Sequence, residues 1–381
     1  MIAAALMLRP DESGLEKCLN SIDPIADEIV AVITGEPSQR TKQLLSRFNV
    51  QFNTTVWRED YSYHRNQSFD MVSPEADWIL RIDSDEELIL LDKNQLINTL
   101  KTAPKEVDCC RCKMKDYRGN TVVMEFPQLH FFRAGTVQWR YRKHNTPIFA
   151  GEIMHLDSCV THHYGYDLEP KAMEAKRQEA IRLIKLTMQD YPGEYPGDFY
   201  LSQIYAQDKP NEAIKHLVKY IAENEDSPGF LKAAYSSLNS LYEKLGETDK
   251  AMEILKRGLE KLPLDLDLNF LLCHQSVRDN DYQSMVKGAE RYIQAWNIYK
   301  KHVDFYDHFC YFHTDEHIRF VLHKLAIARL QEGISYVNHF FGFADTDNIN
   351  DIMVKDLSIL GIDWEWDVNY PIDAQNILKG V

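Results

Sequence analysis

The fold turns on Trp78-Ile79-Leu80-Arg81-Ile82-Asp83-Ser84-Asp85-Glu86-Glu87-Leu88, an apolar run that ends abruptly in acids. A run this short reads as a buried strand, whose C-terminal end then delivers carboxylates to the edge of a sheet. In open α/β sheets that edge is where ligands sit. Asp83 and Asp85, two residues apart, are placed to share a divalent cation and, through it, a diphosphate. Hard cations such as Mg²⁺ or Mn²⁺ take oxygen ligands, commonly one or two carboxylates plus substrate phosphates. The competing reading is an acidic turn that caps a following helix, since Asp and Glu suit a helix N-terminus. Context decides between them.

Upstream, residues 2–8 form a continuous apolar strand, and Leu15, Cys18, Leu19 and Ile22 recur at helical spacing with Ser13 as the expected N-cap. Residues 29–33 read as a second strand, 41–48 as a helix, 50–56 as a third strand and 61–72 as a helix, with 78–82 the fourth strand. Strands alternating with helices at this spacing imply βαβ units and a mostly parallel sheet. The acids therefore fall at a strand end in an architecture suited to nucleotides, which favours the ligand site over the cap.

Downstream, residues 109–160 break into short aromatic or alternating stretches, expected as a mixed or antiparallel extension. It carries Arg133, Arg140, Arg142, Lys143, His144 and Glu152, all able to hydrogen-bond sugars or phosphates, and closes on His162-His163-Tyr164-Gly165-Tyr166. After Pro170 the pattern is helical. Ala213, Ala251 and Ser284 open successive helices at offsets close to the ~34-residue period of tetratricopeptide repeats. About three repeats are expected, a plain helical bundle being the alternative. His313 and His317 share a helical face, yet the pattern lacks the glutamate of a zinc-protease helix. The acidic tail, with Trp364-Glu365-Trp366, reads as an arm over the repeats or a dimer contact.

The chain of 381 residues carries 58 acids against 43 bases, a net charge of −15, which disfavours nonspecific attraction to nucleic acid or anionic membrane. A local basic rim of Arg133, Arg140, Arg142 and Lys143 is the exception to watch. Seven cysteines without paired spacing suit strand residues in a reducing compartment better than a disulfide framework or zinc site. No stretch is long and apolar enough to span a bilayer, so a soluble, cytoplasmic protein is expected.

Several ordered pieces resemble a family 2 glycosyltransferase with the GT-A fold. They are residues 15–22 before 27–32, Thr34-Gly35 with Arg40-Thr41, Trp57-Arg58-Glu59-Asp60-Tyr61 leading to Arg65-Asn66, residues 77–86, and His163-Tyr164-Gly165-Tyr166. A helical tail of tetratricopeptide type accompanies some members, so the resemblance spans roughly residues 1–290. It implies a GT-A domain over 1–168, helical repeats over 169–294 and an extension over 295–381. It implies a metal-dependent transfer of a sugar, hexose or pentose, from a nucleotide-sugar donor to an acceptor such as a glycan or protein docked on the repeats. By the same resemblance Asp83 and Asp85 bind Mn²⁺ or Mg²⁺, with Asp85 the direct ligand, and His163 adds a metal or diphosphate contact. Arg65 faces the nucleotide, and Asp60 either orients Arg65, touches the nucleoside, or caps the helix at Tyr61. Two departures stand out. Where the family has an aspartate for the base, this chain has Ile33 before Thr34-Gly35, with Glu36 the nearest substitute. Where it has a His-Glu pair, this chain reads His144-Asn145, leaving His144 or Glu152 as the base that an inverting transfer requires. These departures define the rival reading, a degenerate transferase domain serving as a tetratricopeptide scaffold. A nucleotidyltransferase is the third, but residues 8–14 make a poor phosphate loop.

Overall fold

The computed structural model describes residues 1–165, 170–225, 230–301 and 315–341. Tyr166, His313 and the tail with Trp364-Glu365-Trp366 lie outside the described residues. The chain divides into two compact units, Met1–Leu201 and Ser202–Val381. The division falls at 201/202 rather than after residue 168, so the first long helix goes with the sheet.

The first unit runs β1 (Ile2–Leu8), α1 (Leu15–Ile22), β2 (Glu28–Ile33), α2 (Gln39–Arg47), β3 (Gln51–Thr54), α3 (Tyr61–Asp70), β4 (Trp78–Arg81), β5 (Glu86–Leu90) and α4 (Lys93–Thr102). It continues with β6 (Val107–Arg118), β7 (Thr121–Arg133), β8 (Gln138–Arg140), β9 (Thr146–Ile148), β10 (Glu152–His163) and α5 (Pro170–Asp190). Eight strands form one mixed sheet in the order β3-β2-β1-β4-β7-β6-β10-β5, and β8 and β9 pair separately. β3, β2, β1 and β4 run parallel, as the alternation of strands and helices predicts. β7 is antiparallel to both β4 and β6, so the extension is indeed mixed, though built from strands of 12 and 13 residues rather than short pieces. Apolar residues at both faces of β1 are buried, with Ala4, Leu6 and Leu8 packed on Leu15, Leu19 and Ile22 of α1. Each fully buried aliphatic side chain of this kind stabilises by roughly 1.5–3 kcal/mol.

One expectation about a cap is corrected, and one competing reading falls away. α1 begins after Gly14, not Ser13, and no side chain caps it. The acids after β4 cap no helix: they lead into β5, and α4 begins later with its own cap, Asp92, which accepts from Gln95 N at 2.9 Å. The sheet order gives the reason. β5 lies at the sheet border, beyond β7, β6 and β10, so the Asp83-Ser84-Asp85 turn must carry the chain outward from the sheet's middle.

The second unit is helical: within it lie α7 (Pro210–Glu223), α8 (Leu231–Lys244), α9 (Thr248–Lys261), α10 (Leu266–Arg278), α11 (Tyr282–Lys301) and α12 (Asp315–Phe341), preceded by α6 (Gly197–Tyr205), in which the division falls. Consecutive helices from α7 to α12 pack on one another, as helical repeats do. Ala213, Ala251 and Ala289 are fully buried at the close approaches. Gln275 Nε2 donates to Asn239 Oδ1 at 2.8 Å across 36 residues, and Arg278 pairs with Glu243 across 35, which is the repeat period written as contacts. Among the described residues, no helix is long and apolar enough to cross a membrane.

Candidate active site

The site is built on the turn after β4. Backbone hydrogen bonds fix it: Glu86 N donates to Asp83 O at 3.0 Å and Tyr164 N to Asp85 O at 3.0 Å. Asp83 N in turn donates to Glu86 Oε2 at 2.9 Å. On the other side Gly14, at the start of α1, packs against the Ser84 carbonyl so closely that a Cβ there would overlap it. Glu12, in the loop after β1, shares a hydrogen bond with Ser84 and lies near Asp85. Burial and then Asp85 raise the Glu12 pKa against the pull of Arg9.

Asp83 is the anchored acid. Arg65 Nη2 donates to its Oδ1 at 3.1 Å, and Arg81 binds its Oδ2. Burial alone would raise its pKa, but the two guanidinium groups outweigh it and hold Asp83 below the usual carboxylate range. Arg81 also reaches Glu86 Oε1 at 3.2 Å, where burial keeps that carboxyl above its ordinary pKa. Arg65 itself is buried, and its guanidinium lies 4.9 Å from the centre of the Trp139 ring. This corrects the expectation that Arg65 faces a nucleotide: it stands behind Asp83 and positions it.

Asp85 is the outward acid, with 42% of its side chain exposed. Its Oδ2 lies 3.5 Å from His163 Nε2, while His163 Nδ1 bonds to Asp116 Oδ1 at 2.8 Å. A buried carboxylate on one imidazole nitrogen with the other nitrogen turned to the site is how proteins orient metal-ligating histidines. Burial opposes the charged ring, yet Asp116 and Asp85 push its pKa up to about 10. Gly165 completes the arrangement. A Cβ at that position would fall on Asp85 Oδ2 and lie 2.5 Å from His163 Nε2, so glycine leaves open the space next to both atoms. Among the described residues, no group of three or more His, Cys, Asp and Glu could hold a metal ion. A cation held by Asp85 and His163 would need its other ligands from phosphate oxygens and water, as Mg²⁺ bound with substrate phosphates takes them.

The remaining sequence candidates divide. Thr34, at the end of β2, bonds through Oγ1 to Leu8 O at 3.2 Å, and Glu36 is exposed in an ion pair with Lys42 at 2.5 Å. Both follow the C-terminal end of β2. Asp60 caps α3, accepting from Tyr63 N at 3.0 Å and Ser62 Oγ at 2.7 Å, so its carboxylate is spent on the helix rather than on Arg65. Asn66 exchanges two bonds with the Trp139 backbone, 2.9 and 2.8 Å, and so ties α3 to β8. Glu152 is corrected outright as a base. It starts β10 while His163 ends it, and their partners Val107 and Asp116 stand about 30 Å apart along β6. The His144 ring stacks on Tyr200 at 3.8 Å between centres. Desolvation in that stack and then neighbouring Lys143 lower its pKa, although the residue as a whole is exposed.

Of the basic rim, Arg133 is bonded to the carbonyls of Val107 and Pro104, Arg140 to Glu194 and Arg142 to Asp190, all structural ties. Lys143 alone points at the site: its Nζ lies 4.9 Å from the centre of the Tyr61 ring, with Arg9 and Lys176 for neighbours. Asp116, Gly165, Arg9 and Lys176 went unread as site residues. Asp116 had a signal, since it continues the alternation of Cys110, Cys112 and Met114 on the buried face of β6, where an acid needs a partner. The six described cysteines are buried and unpaired.

No protein-family model matches the chain. It is 22% identical over 227 residues to the SPbeta prophage-derived glycosyltransferase SunS of Bacillus subtilis, which covers 58% of this chain and 53% of SunS. It is 33% identical over 89 residues to a TPR repeat-containing protein of Synechococcus elongatus, 23% of this chain and 21% of that one. Among solved structures, S. aureus TarS residues 1–349 aligns over 67% of this chain and 90% of that chain, at 13% identity and a TM-score of 0.37. The chain thus spans about half the length of SunS and about a fifth of the cyanobacterial protein. In sequence it is similar to a glycosyltransferase and, over a shorter stretch, to a TPR repeat-containing protein.

Proposed function

We propose that the first unit is a glycosyltransferase domain that takes a nucleotide-sugar donor at the Asp83-Ser84-Asp85 turn with the help of Mn²⁺ or Mg²⁺. One observation carries the reading: Asp85 and His163 face each other beside Gly165 at the C-terminal edge of the sheet, with His163 oriented by buried Asp116. The similarity to SunS supports the transferase part of it. Asp85 and His163 would hold the cation, which neutralises the charge that develops on a leaving diphosphate. Arg65 and Arg81 hold Asp83 fixed, and the turn keeps its shape through Glu86 and Gly14. The helical repeats present a surface for an acceptor-bearing partner, a protein or a glycan.

The deciding experiment is a screen of nucleotide-sugars for Mn²⁺-dependent hydrolysis by the full chain and by Asp85→Ala. The reading requires hydrolysis of at least one donor that falls by roughly a hundredfold in the variant, the scale of losing a group that stabilises the leaving charge. Equal hydrolysis in both proteins sinks it. The scaffold alternative requires that no nucleoside diphosphate bind with or without Mn²⁺.

A further inference from the structure

Three cations from three separate elements gather around Lys143, two of them against Tyr61. Arg9, in the loop after β1, shares a hydrogen bond with the Tyr61 hydroxyl. Lys143, between β8 and β9, lies over the face of the same ring. Lys176, from α5, donates to Gly165 O at 3.2 Å, the residue that opens space at Asp85 and His163. Tyr61 opens α3, which carries Arg65 to Asp83, and Tyr61 N is bonded to Arg142 O at 3.0 Å, so the segment before Lys143 is held against the site. Tyr195 adds a hydroxyl donated to Lys143 O at 3.0 Å.

Lys143 makes no ion pair with any described carboxylate. Burial, then Lys176 and Arg9, lower its pKa, while Glu179 and Asp83 pull the other way. Of the acids nearby, Asp83 is engaged by two arginines, Glu12 by Arg9 and Asp85 by His163, which leaves Glu179 of α5, among the described residues, as the one counter-charge shared by Lys143 and Arg9. Drawing an ammonium part-way out of water beside two like charges is unfavourable unless an anion joins them.

We propose that Lys143, flanked by Arg9 and Lys176, is a leaving-group residue that binds the donor diphosphate alongside the Asp85–His163 pair. This rests on the transferase reading above and adds a contribution that needs no metal. In the transfer, the bond from the sugar's anomeric carbon to the diphosphate oxygen breaks and its electron pair stays on that oxygen. The acceptor heteroatom forms the new bond to the carbon and releases its proton to solvent. The negative charge gathered on the diphosphate is what Lys143 neutralises.

The test is calorimetric titration of the full chain with uridine and guanosine diphosphates and with inorganic pyrophosphate, in Mn²⁺ and in EDTA, using wild type, Lys143→Gln and Lys143→Arg. The proposal expects Lys143→Gln to weaken diphosphate binding roughly tenfold in both conditions, the loss of one charge-assisted contact, with Lys143→Arg close to wild type. Uridine monophosphate should lose less than the diphosphate. Matched thermal melting of the two variants shows that the fold is intact. Equal affinity of wild type and Lys143→Gln overturns the proposal while leaving the transferase reading standing. Pyrophosphate binding through Lys143 without any nucleotide binding upholds the anion seat and overturns the donor reading. Binding of neither overturns both.

Discussion

Arg65 Nη2 sits 3.1 Å from Asp83 Oδ1, with its guanidinium over Trp139, and this buried pair fixes the acid that does not face the site so that its neighbour can. Only 5% of the Arg65 side chain is exposed, so removing its charge leaves Asp83 to Arg81 alone. Arg65→Met should therefore cost about 3 kcal/mol of stability, the lower end for breaking a buried pair because Asp83 is itself 30% exposed. Arg65→Lys restores the charge but not the planar fork or the stack, and should recover part of it. Urea unfolding at pH 7 reads both. An unchanged midpoint in Arg65→Met would refute the positioning role.

How far the sequence carried this site depended on whether each residue's role is local. The strand-to-acid transition at 78–88 is local, and it located the turn, while the equally local alternation of strands and helices upstream located the parallel half of the sheet. Asp60 is local too, and its capping role was one of the readings that its position before Tyr61 allowed. What sequence could not supply was register across distant strands. Asp116 reaches His163 only because β6 and β10 run parallel with those two residues opposed, 47 positions apart. Glu152 looked as available as His163 until the direction of β10 set them at opposite ends. The resemblance sets Arg65 against the nucleotide, whereas the packing of α3 on β8 buries it.

Gly165→Ala tests the space between Asp85 and His163. The backbone there needs no left-handed conformation, so alanine is tolerated by the chain, and the effect falls on the two side chains. His163 has little freedom to retreat because Asp116 holds its far nitrogen at 2.8 Å. The variant should bind Mn²⁺ at least roughly tenfold more weakly, about 1.4 kcal/mol, with a nearly unchanged melting temperature. Mn²⁺ paramagnetic resonance in the presence of a nucleoside diphosphate measures it. Undiminished binding would place the cation elsewhere.

Gly14→Ala should be worse for stability than a helix-start alanine ordinarily is. Its Cβ would overlap the Ser84 carbonyl and lie 3.4 Å from Asp85 Cα, backbone on both sides, so neither neighbour can rotate away. Overpacking of this kind costs about 1–3 kcal/mol, and the shifted turn should also weaken nucleotide binding. Ser13→Ala is the control. Ser13 does not cap α1, so its stability should change by less than about 0.5 kcal/mol. Thermal and urea unfolding of the pair, with a diphosphate titration, would show whether the effect is confined to Gly14.

The second unit offers a test independent of any chemistry at the sheet. Asn239 and Gln275 are buried and bond reciprocally, at 2.8 and 3.3 Å, and Asn239 Nδ2 also donates to Ala251 O at 2.9 Å. The link joins α8 to α10 and touches α9, so one side chain ties three helices. Asn239→Ala strands the buried Gln275 amide away from water and removes the extra bond to the Ala251 carbonyl, a loss of about 2–3 kcal/mol. Asn239→Leu with Gln275→Leu removes both amides and replaces them with apolar surface, so the double variant should lose less than the sum of its singles. A coupling energy above about 1 kcal/mol is expected for partners in direct contact. Denaturation of the full chain followed by its helical circular dichroism supplies the four values. Strict additivity would mean that the two amides hold the repeats together separately rather than as a pair.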